Sequence, residues 1–186
     1  MINPTTLDTQ LLLLLNEDGG GFADFLMYWV SNRFIWIPLY LWLLYKVWKR
    51  VGTLRTILFF IAIALAVALS DQCANLAKNY LPKLRPSHYE PLSGLVHTNV
   101  YGYVGGLYGT ISAHAACSMA VAVMFCKVLR KPRYWFWMMA WVLAVSYSRI
   151  YLGVHYPFDV IIGLGVGTLF GILLYWLWGL LKTDPF

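Results

Sequence analysis

A short polar segment, residues 148–159, lies between two long apolar runs and contains Arg149, His155 and Asp159. Only 12% of the chain is charged, and a charge placed between apolar segments is costly unless it has a function. Pro157 suits the first turn of a helix, so we expect a helix to begin there with Asp159 facing back toward His155. That geometry orients a nucleophilic or basic imidazole. The alternative is a capped helix with a surface histidine beside it.

Two further polar groups flank apolar runs. Lys78 and Arg85 are seven residues apart across a predicted helix end, and Ser112 and His114 stand where another apolar run begins. Arginine offers a planar fork to phosphate oxygens, lysine offers a mobile point charge, and histidine transfers protons. Each residue taken singly also has a structural explanation, such as a lysine that snorkels to the interface. Jointly, their types and spacing favour an anion site that could stabilise phosphoryl transfer.

The composition predicts an integral membrane protein. The chain has 186 residues, of which 60% are hydrophobic, and its mean hydropathy is +0.64. A typical soluble domain has about 25% charged residues, twice the fraction found here. The net charge of +6 does not indicate nucleic acid as a partner, because the basic residues fall at the ends of apolar runs. We expect the lipid bilayer to be the partner instead.

The apolar pattern predicts an all-α protein with about five transmembrane helices. Residues 1–32 form short helices that lie along one interface, with a break at Gly19, Gly20 and Gly21. Residues 33–186 form the transmembrane domain, which includes an outer loop at 82–107. The predicted spans are 34–48, 54–81, 109–128, 134–145 continuing to 148, and 157–181.

Basic residues predict the orientation of these spans. One cluster joins the first two spans and a second joins the third and fourth, so both connections are expected to be cytoplasmic. The two clusters are Lys46, Lys49, Arg50 and Arg55, and Lys127, Arg130, Lys131 and Arg133. The C-terminus, with Lys182, would also be cytoplasmic. The N-terminus, the 82–107 loop and the 148–159 segment would then share the opposite side, where all four histidines converge.

Three glycines in the last predicted span follow a four-residue spacing: Gly163, Gly167 and Gly171. Small residues along one stripe let another helix approach closely in lipid. We expect this stripe to pack against a helix of the same chain. A dimer face is the alternative.

The polar segments read Lys-x6-Arg-Pro, Ser-x-His and Ser-Arg-x5-His-x3-Asp. This order resembles the three-part signature of the type 2 phosphatidic acid phosphatase superfamily, over about residues 54–175. The superfamily's second part usually reads Pro-Ser-Gly-His, whereas this chain has Ile111 and Ala113 at the proline and glycine positions. The resemblance implies a helical bundle of the phosphatase and haloperoxidase type.

The resemblance also implies roles for individual residues. His155 would attack phosphorus to form a phosphohistidine, Asp159 would hold its other nitrogen, and His114 would act as general acid and then general base. Neither a metal nor another cofactor is implied. The expected phosphate-binding residues are Lys78, Arg85, Ser112, Ala113, Ser148 and Arg149. His88, Glu90 and His97 fit no part of the signature.

The expected activity is hydrolysis of a membrane lipid phosphate at the extracytoplasmic face of a bacterial cytoplasmic membrane. Undecaprenyl diphosphate is the favoured substrate, because an outward-facing site is where that carrier loses a phosphate. Lipid A and phosphatidylglycerol phosphate are the alternatives, and phosphatidic acid is also compatible with the family. Two other classes are a lipid-binding or transport protein without catalysis and a vanadate-dependent haloperoxidase. We expect the 82–107 loop to select the lipid.

Overall fold

The fold is helical throughout the part of the chain that the structure describes. A computed structural model describes residues 6–98 and 100–181. Within these residues there is no strand, and three short 3-10 helices accompany the α-helices. The predicted all-α class is confirmed. The α-helices are α1 (Leu7–Leu15), α2 (Gly20–Ser31), α3 (Ile37–Val51), α4 (Thr53–Tyr80), α5 (Glu90–Ser93), α6 (Ala113–Leu129), α7 (Pro132–Tyr151) and α8 (Pro157–Leu180).

The five longest helices, α3, α4, α6, α7 and α8, lie at the positions predicted to span. By length and composition α4 and α8 could each cross a bilayer, while α6 is a shorter apolar helix. The count of five spans therefore stays a prediction. The third predicted span begins at Ala113 instead of residue 109, because Ser112 has an extended backbone and its hydroxyl accepts the Ala115 N–H as an N-cap.

Helix α6 is the centre of the bundle and packs against α4, α7 and α8. The glycine stripe of α8 faces α6: a Cβ added at Gly163 would lie 2.6 Å from the Ser112 carbonyl oxygen, and one at Gly171 would lie 3.0 Å from that of Ala120. The prediction of internal packing is thus confirmed. This close contact holds the N-terminus of α6 against the first turns of α8.

The basic clusters lie together at one end of the bundle. The Arg50 guanidinium donates to the Leu129 carbonyl oxygen over 2.6 Å, which joins the α3–α4 turn to the α6–α7 turn. The Trp178 indole donates to the Arg55 carbonyl oxygen over 3.1 Å, which brings the end of α8 to the same place. We call this the basic end. Lys182 lies outside the described residues.

The polar segments of the sequence lie at the other end, which we call the site end and define as residues 78–98, 100–114 and 148–159. The backbone N–H of Ser112 donates to the Asp159 carbonyl oxygen over 3.0 Å, so the starts of α6 and α8 touch. The outer loop folds back on itself through a bridge between Leu84 and Tyr108. Residues far apart in the chain are therefore assembled at one end.

The N-terminal helices also pack on the site end. The Asn16 side chain donates to the carbonyl oxygens of Ile150 and Tyr151 over 2.8 and 2.7 Å, and it accepts the His97 N–H over 2.6 Å. The Asp24 carboxylate binds His97 Nε2 and the Tyr151 hydroxyl, each over 2.7 Å. The predicted domain division between residues 32 and 33 stays a prediction, and these contacts cross it.

Candidate active site

His155 and Asp159 lie where α8 begins. Tyr156 is the N-cap of α8, and its backbone N–H donates to Asp159 Oδ2 over 3.0 Å. Pro157 occupies the first turn, so the helix begins where the sequence predicts. His155 Nδ1 lies 3.5 Å from Asp159 Oδ2, slightly beyond hydrogen-bond length. The carboxylate therefore faces Nδ1, and Nε2 is the ring nitrogen that remains for chemistry.

The His155 imidazole is buried, with 2% of the residue exposed. Burial, followed by the positive charge of four neighbours, holds the pKa of His155 well below its usual value. These neighbours are Arg85, Arg149, Lys78 and Lys83. The ring is therefore neutral near pH 7, and the neutral ring is the form with a free electron pair for attack.

Arg149 is a buried cation that has no anionic partner in the described part of the chain. It is 2% exposed, and its guanidinium donates to the Ser31 hydroxyl and, over 2.7 Å, to the Tyr103 hydroxyl. Its Nε atom has no hydrogen-bond partner among the described residues. Both partners are neutral, so they orient the guanidinium without neutralising its charge. A buried charge of this kind is costly unless it serves to bind an anion.

Arg85 is held in a similar way. It is 8% exposed, and it donates to the carbonyl oxygens of Tyr108 and Val154 over 3.0 and 3.2 Å. Burial and the nearby charge of Arg149 lower the pKa of Arg85 from its ordinary value. A Cβ added at Gly109 would lie 2.8 Å from Arg85 Cγ and 3.2 Å from His155 Cε1. Arg85 and His155 are therefore neighbours across this glycine.

Lys78 supplies a third cation at the end of α4. Its half-buried ammonium donates to the Asn75 side-chain oxygen over 3.1 Å, and Asn75 in turn donates to Asp71 over 2.9 Å. The charges of Arg85 and Arg149 both act on Lys78. The three predicted phosphate-binding cations are therefore gathered in one region.

The start of α6 supplies Ser112, Ala113 and His114. Ser112 is fully buried, and its hydroxyl caps the helix by accepting the Ala115 N–H over 3.4 Å. His114 is half-buried, and the charge of Arg149 acts on its imidazole. The N-terminus of a helix carries unpaired N–H groups and partial positive charge, which favour an anion. Ala113 and His114 lie in that first turn.

Ser148 is placed differently from the other predicted phosphate-binding residues. It is fully buried, and its hydroxyl donates to the Val145 carbonyl oxygen over 2.7 Å within α7. Such back-bonding is common for serine in helices. The hydroxyl would have to leave this acceptor to donate to a phosphate, so the role of Ser148 stays a prediction.

The family follows from a comparison with known protein families. The family model of the PAP2 superfamily matches residues 55–182. The chain belongs to the PAP2 superfamily. The resemblance seen in the three polar segments is thereby confirmed, and this PAP2 chain is an enzyme, a phosphoric ester hydrolase of membrane lipids.

Three curated relatives match most of the PAP2 chain. It is 35% identical over 173 residues to the lipid A 4'-phosphatase of Bacteroides thetaiotaomicron, covering 92% of this chain and 76% of that protein. It is 31% identical over 170 residues to the lipid A 4'-phosphatase of Porphyromonas gingivalis, covering 91% and 72%. It is 30% identical over 169 residues to the undecaprenyl-diphosphatase of Sulfolobus acidocaldarius, covering 87% and 73%.

Two solved structures share the fold of the PAP2 chain. Aquifex aeolicus LpxE superposes with a TM-score of 0.68 at 19% identity, covering 94% of this chain and 98% of that one. The transmembrane PAP2-type phosphatidylglycerolphosphate phosphatase of Bacillus subtilis superposes with a TM-score of 0.67 at 16% identity, covering 98% and 92%. The predicted helical bundle of the phosphatase type is confirmed by this likeness.

Several residues around the site were not predicted from the sequence. Lys83 forms an ion pair with Asp159 over 2.8 Å and with Asp8 over 3.1 Å. Ser31 and Tyr103 hold Arg149. A lysine two residues before Arg85 was the one available signal, and nothing in the sequence indicated which carboxylates it would meet.

One group outside the signature has the donor atoms of a metal site. One ligand atom from each of Asp18, Asp24 and His97 lies within 4.8 Å of the others. Asp18 is exposed, and its carboxylate caps the Gly20 N–H over 2.8 Å. Hydrogen bonds already engage Asp24 and His97 with each other. The group joins α2 to the outer loop and includes none of the predicted site residues.

Proposed function

We propose that this PAP2 chain removes the 4'-phosphate of lipid A at the membrane surface. The observation that carries the proposal is its 35% and 31% identity, over more than nine tenths of the chain, to two lipid A 4'-phosphatases. Three cations gathered at the site end supply what a phosphomonoester requires, namely positive charge and fixed donors around the phosphate oxygens.

Undecaprenyl diphosphate, favoured from the sequence, becomes the second candidate. Its support is the 30% identity to the undecaprenyl-diphosphatase of Sulfolobus acidocaldarius. The lipid A relatives are more similar and match more of the chain, so they outweigh this one. Both substrates keep their tails in the bilayer and present a phosphate at its surface.

In the proposed first step, Nε2 of His155 attacks phosphorus while the bond between phosphorus and the lipid oxygen breaks. Asp159 faces Nδ1 and stabilises the positive charge that the ring acquires. His114 gives its proton to the departing lipid oxygen. A bound phosphate dianion favours the protonated form of His114 that this step needs.

In the second step, neutral His114 takes a proton from water as the water oxygen attacks phosphorus. The phosphorus–nitrogen bond breaks, its electron pair returns to His155, and inorganic phosphate leaves. Throughout both steps Lys78, Arg85 and Arg149 stabilise the charge on the equatorial oxygens. The phosphate oxygens also accept hydrogen bonds from the N–H groups of Ala113 and His114 and from the Ser112 hydroxyl.

We also propose that the site end faces the extracytoplasmic side of a bacterial inner membrane. The support is the grouping of the basic clusters at the opposite end of the bundle. Under the positive-inside rule that end is cytoplasmic. Cysteine labelling tests this: a Tyr101→Cys variant, exposed on the outer loop, should react with an impermeant reagent in intact cells. Reaction only after the membrane is opened would reverse the orientation.

The substrate is tested with purified protein in detergent and a chelator present. The panel contains lipid A carrying both phosphates, undecaprenyl diphosphate, phosphatidylglycerol phosphate and phosphatidic acid. We expect phosphate release to be fastest with lipid A, and mass-spectrometric fragmentation of the product should show that the 4'-phosphate is lost. Preferential release from undecaprenyl diphosphate would favour the second candidate. Release from none of the four lipids would argue for a lipid-binding protein.

A further inference from the structure

Lys83 has no place in the sequence signature, yet it touches the carboxylate that faces His155. Its ammonium lies 2.8 Å from Asp159 Oδ1 and 3.1 Å from Asp8 Oδ2. The ring of Tyr156 lies below it, with its centroid 4.0 Å from the nitrogen. The two carboxylate side chains are 2% and 12% exposed, so water solvates neither of them well.

We propose that Lys83, itself held by Asp8, is a positioning residue that keeps the Asp159 carboxylate ionised and turned toward His155. This inference rests on the proposed roles of His155 and Asp159. It deepens them by naming the groups that orient the carboxylate. It also gives the N-terminal helix α1, which carries Asp8, a role at the site end.

The two oxygens of Asp159 have separate tasks. Oδ2 accepts the backbone N–H of Tyr156 over 3.0 Å and faces His155 Nδ1. Oδ1 is bound by Lys83. With Oδ1 anchored, the plane of the carboxylate is set, and Oδ2 stays directed at the imidazole. A buried carboxylate without a cation would instead favour its neutral form, which stabilises a positive ring far less well.

The partners of Lys83 distinguish it from the phosphate-binding cations. Arg85 and Arg149 donate to neutral oxygens, so their charge is available to an anion. Lys83 donates two of its three N–H groups to carboxylates, and its ammonium lies over an aromatic ring. Its charge is thus already balanced. It is suited to hold Asp159, and it is poorly suited to receive a phosphate.

Asp8 connects this ion pair to the helix that carries Asp159. Its Oδ2 binds Lys83, and its Oδ1 accepts the backbone N–H of Phe158 over 2.9 Å. Phe158 is in the first turn of α8, where N–H groups lack partners within the helix. Asp8 therefore supports both the first turn of α8 and the lysine that binds it.

The test compares Lys83→Met with Lys83→Arg in the 186-residue chain, assayed in detergent with lipid A. Removing a charge-assisted hydrogen bond from Asp159 should lower kcat about 10- to 100-fold. KM and the inhibition constant of inorganic phosphate should stay within about twofold, because Lys83 is already engaged by two carboxylates. Lys83→Arg keeps the charge and should recover most of the lost kcat. Lys131→Met, an exposed lysine at the basic end, is the matched control.

The pH profile gives a second readout. Lys83 and His155 lie against the Asp159 carboxylate, Asp8 binds Lys83, and Arg85 acts on Asp159 from the outer loop. Loss of Lys83 makes Asp159 easier to protonate. The acid limb of the pH profile, in which kcat falls as pH decreases, should therefore move to higher pH in Lys83→Met. It should stay in place in Lys131→Met. Asp8→Asn frees Lys83 and removes a negative charge near Asp159, so it should lower kcat by a smaller factor than Lys83→Met without moving the acid limb to higher pH.

Specific results would overturn the inference. One is a Lys83→Met protein with wild-type kcat and an unmoved acid limb. Another is a Lys83→Met protein whose KM and phosphate inhibition constant rise as much as kcat falls, which would make Lys83 a phosphate ligand. If Lys83→Met aggregates on size exclusion, a wild-type kcat in Asp8→Asn also overturns it. A wild-type protein that releases no phosphate from any lipid fails the proposed function itself, and this inference falls with it.

Discussion

The two ends of the bundle both carry clustered basic residues, but their burial differs: none of those at the basic end is buried, whereas two arginines at the site end are. At the basic end, Arg133 is exposed and its guanidinium carbon lies 5.3 Å from the ring centroid of Tyr134. At the site end, Arg85 and Arg149 are 8% and 2% exposed and donate to neutral oxygens. Neither of these two arginines forms an ion pair with a described residue.

This difference is the one we expect between charges that set topology and charges that bind a ligand. An exposed arginine over an aromatic ring is solvated and costs little, and it serves the positive-inside rule equally well. A buried guanidinium among neutral groups remains costly until an anion reaches it. Burial and the identity of the partners, more than residue type, therefore distinguish the site end.

The largest expected effect comes from the proposed nucleophile at the site end. His155→Ala should reduce phosphate release by about 10⁴-fold or more, because the covalent intermediate of the proposed mechanism forms on this imidazole. Release of phosphate from lipid A in detergent, with a chelator present, measures this. His88→Ala is the control, since His88 is a half-buried histidine of the outer loop that bonds Ser87. Near-normal activity in His155→Ala would remove His155 as nucleophile.

The comparison of the two ends is tested most directly with matched arginines. Arg149→Met should lower kcat/KM about 10²- to 10³-fold, the usual cost of losing one preorganised donor to a transition state. Its melting temperature should equal or exceed that of the wild type, because an uncompensated buried charge is removed. Arg133→Met at the basic end should keep activity within about twofold. If Arg149→Met strongly lowers the melting temperature, and activity falls only as much as the folded fraction does, the role of Arg149 is structural.

A smaller effect is expected from crowding the site end. The Cβ introduced by Gly109→Ala would press on Arg85 and His155. We expect kcat/KM to fall about 10-fold, since a misplacement of a fraction of an ångström is costly to catalysis. Gly106→Ala in the same loop is the control, because a Cβ there meets no atom within 4 Å. Equal activity of the two variants would show that the contact at Gly109 is unimportant for catalysis.

The smallest expected effect concerns pH. The pKa of His155 is held well below its usual value, mainly by burial, so the ring should stay neutral as pH falls through about 6.5. Below about pH 6.5, the His155 side chain binds a proton in the unfolded chain but not in the folded protein. The free energy of unfolding should therefore decrease as pH falls below about 6.5. ¹⁵N NMR of histidine-labelled protein in detergent, assigned with His155→Ala, measures the titration. A midpoint near 6.5 would contradict the burial of this ring.

Much of the fold was predictable because its signals are local. Apolar runs mark the five long helices, and Pro157 marks the start of α8. The spacing of four residues that brings Asp159 to His155 is also a local property of the first helical turn. The start of α6 was predicted four residues early, because the side-chain cap at Ser112 is decided by hydrogen bonding and leaves the apolar pattern unchanged.

The surroundings of the site were not predictable, because they depend on contacts between distant parts of the chain. Lys83 meets Asp8 across 75 positions and Asp159 across 76. The Arg149 guanidinium meets Ser31 across 118 positions. The favoured substrate also changed from undecaprenyl diphosphate to lipid A, since the sequence motifs encode phosphate chemistry and contain no information on the lipid.

By itself, the sequence determined that this protein is a helical membrane protein and which histidines, arginines and carboxylate carry the phosphatase signature. Hydrophobicity and short-range spacing suffice for both. Only the tertiary structure decided which cations are left unbalanced and which are already paired. That distinction depends on burial and on partners brought together by packing, here the close contact of α6 with α8 and the folding of α1 onto the site end.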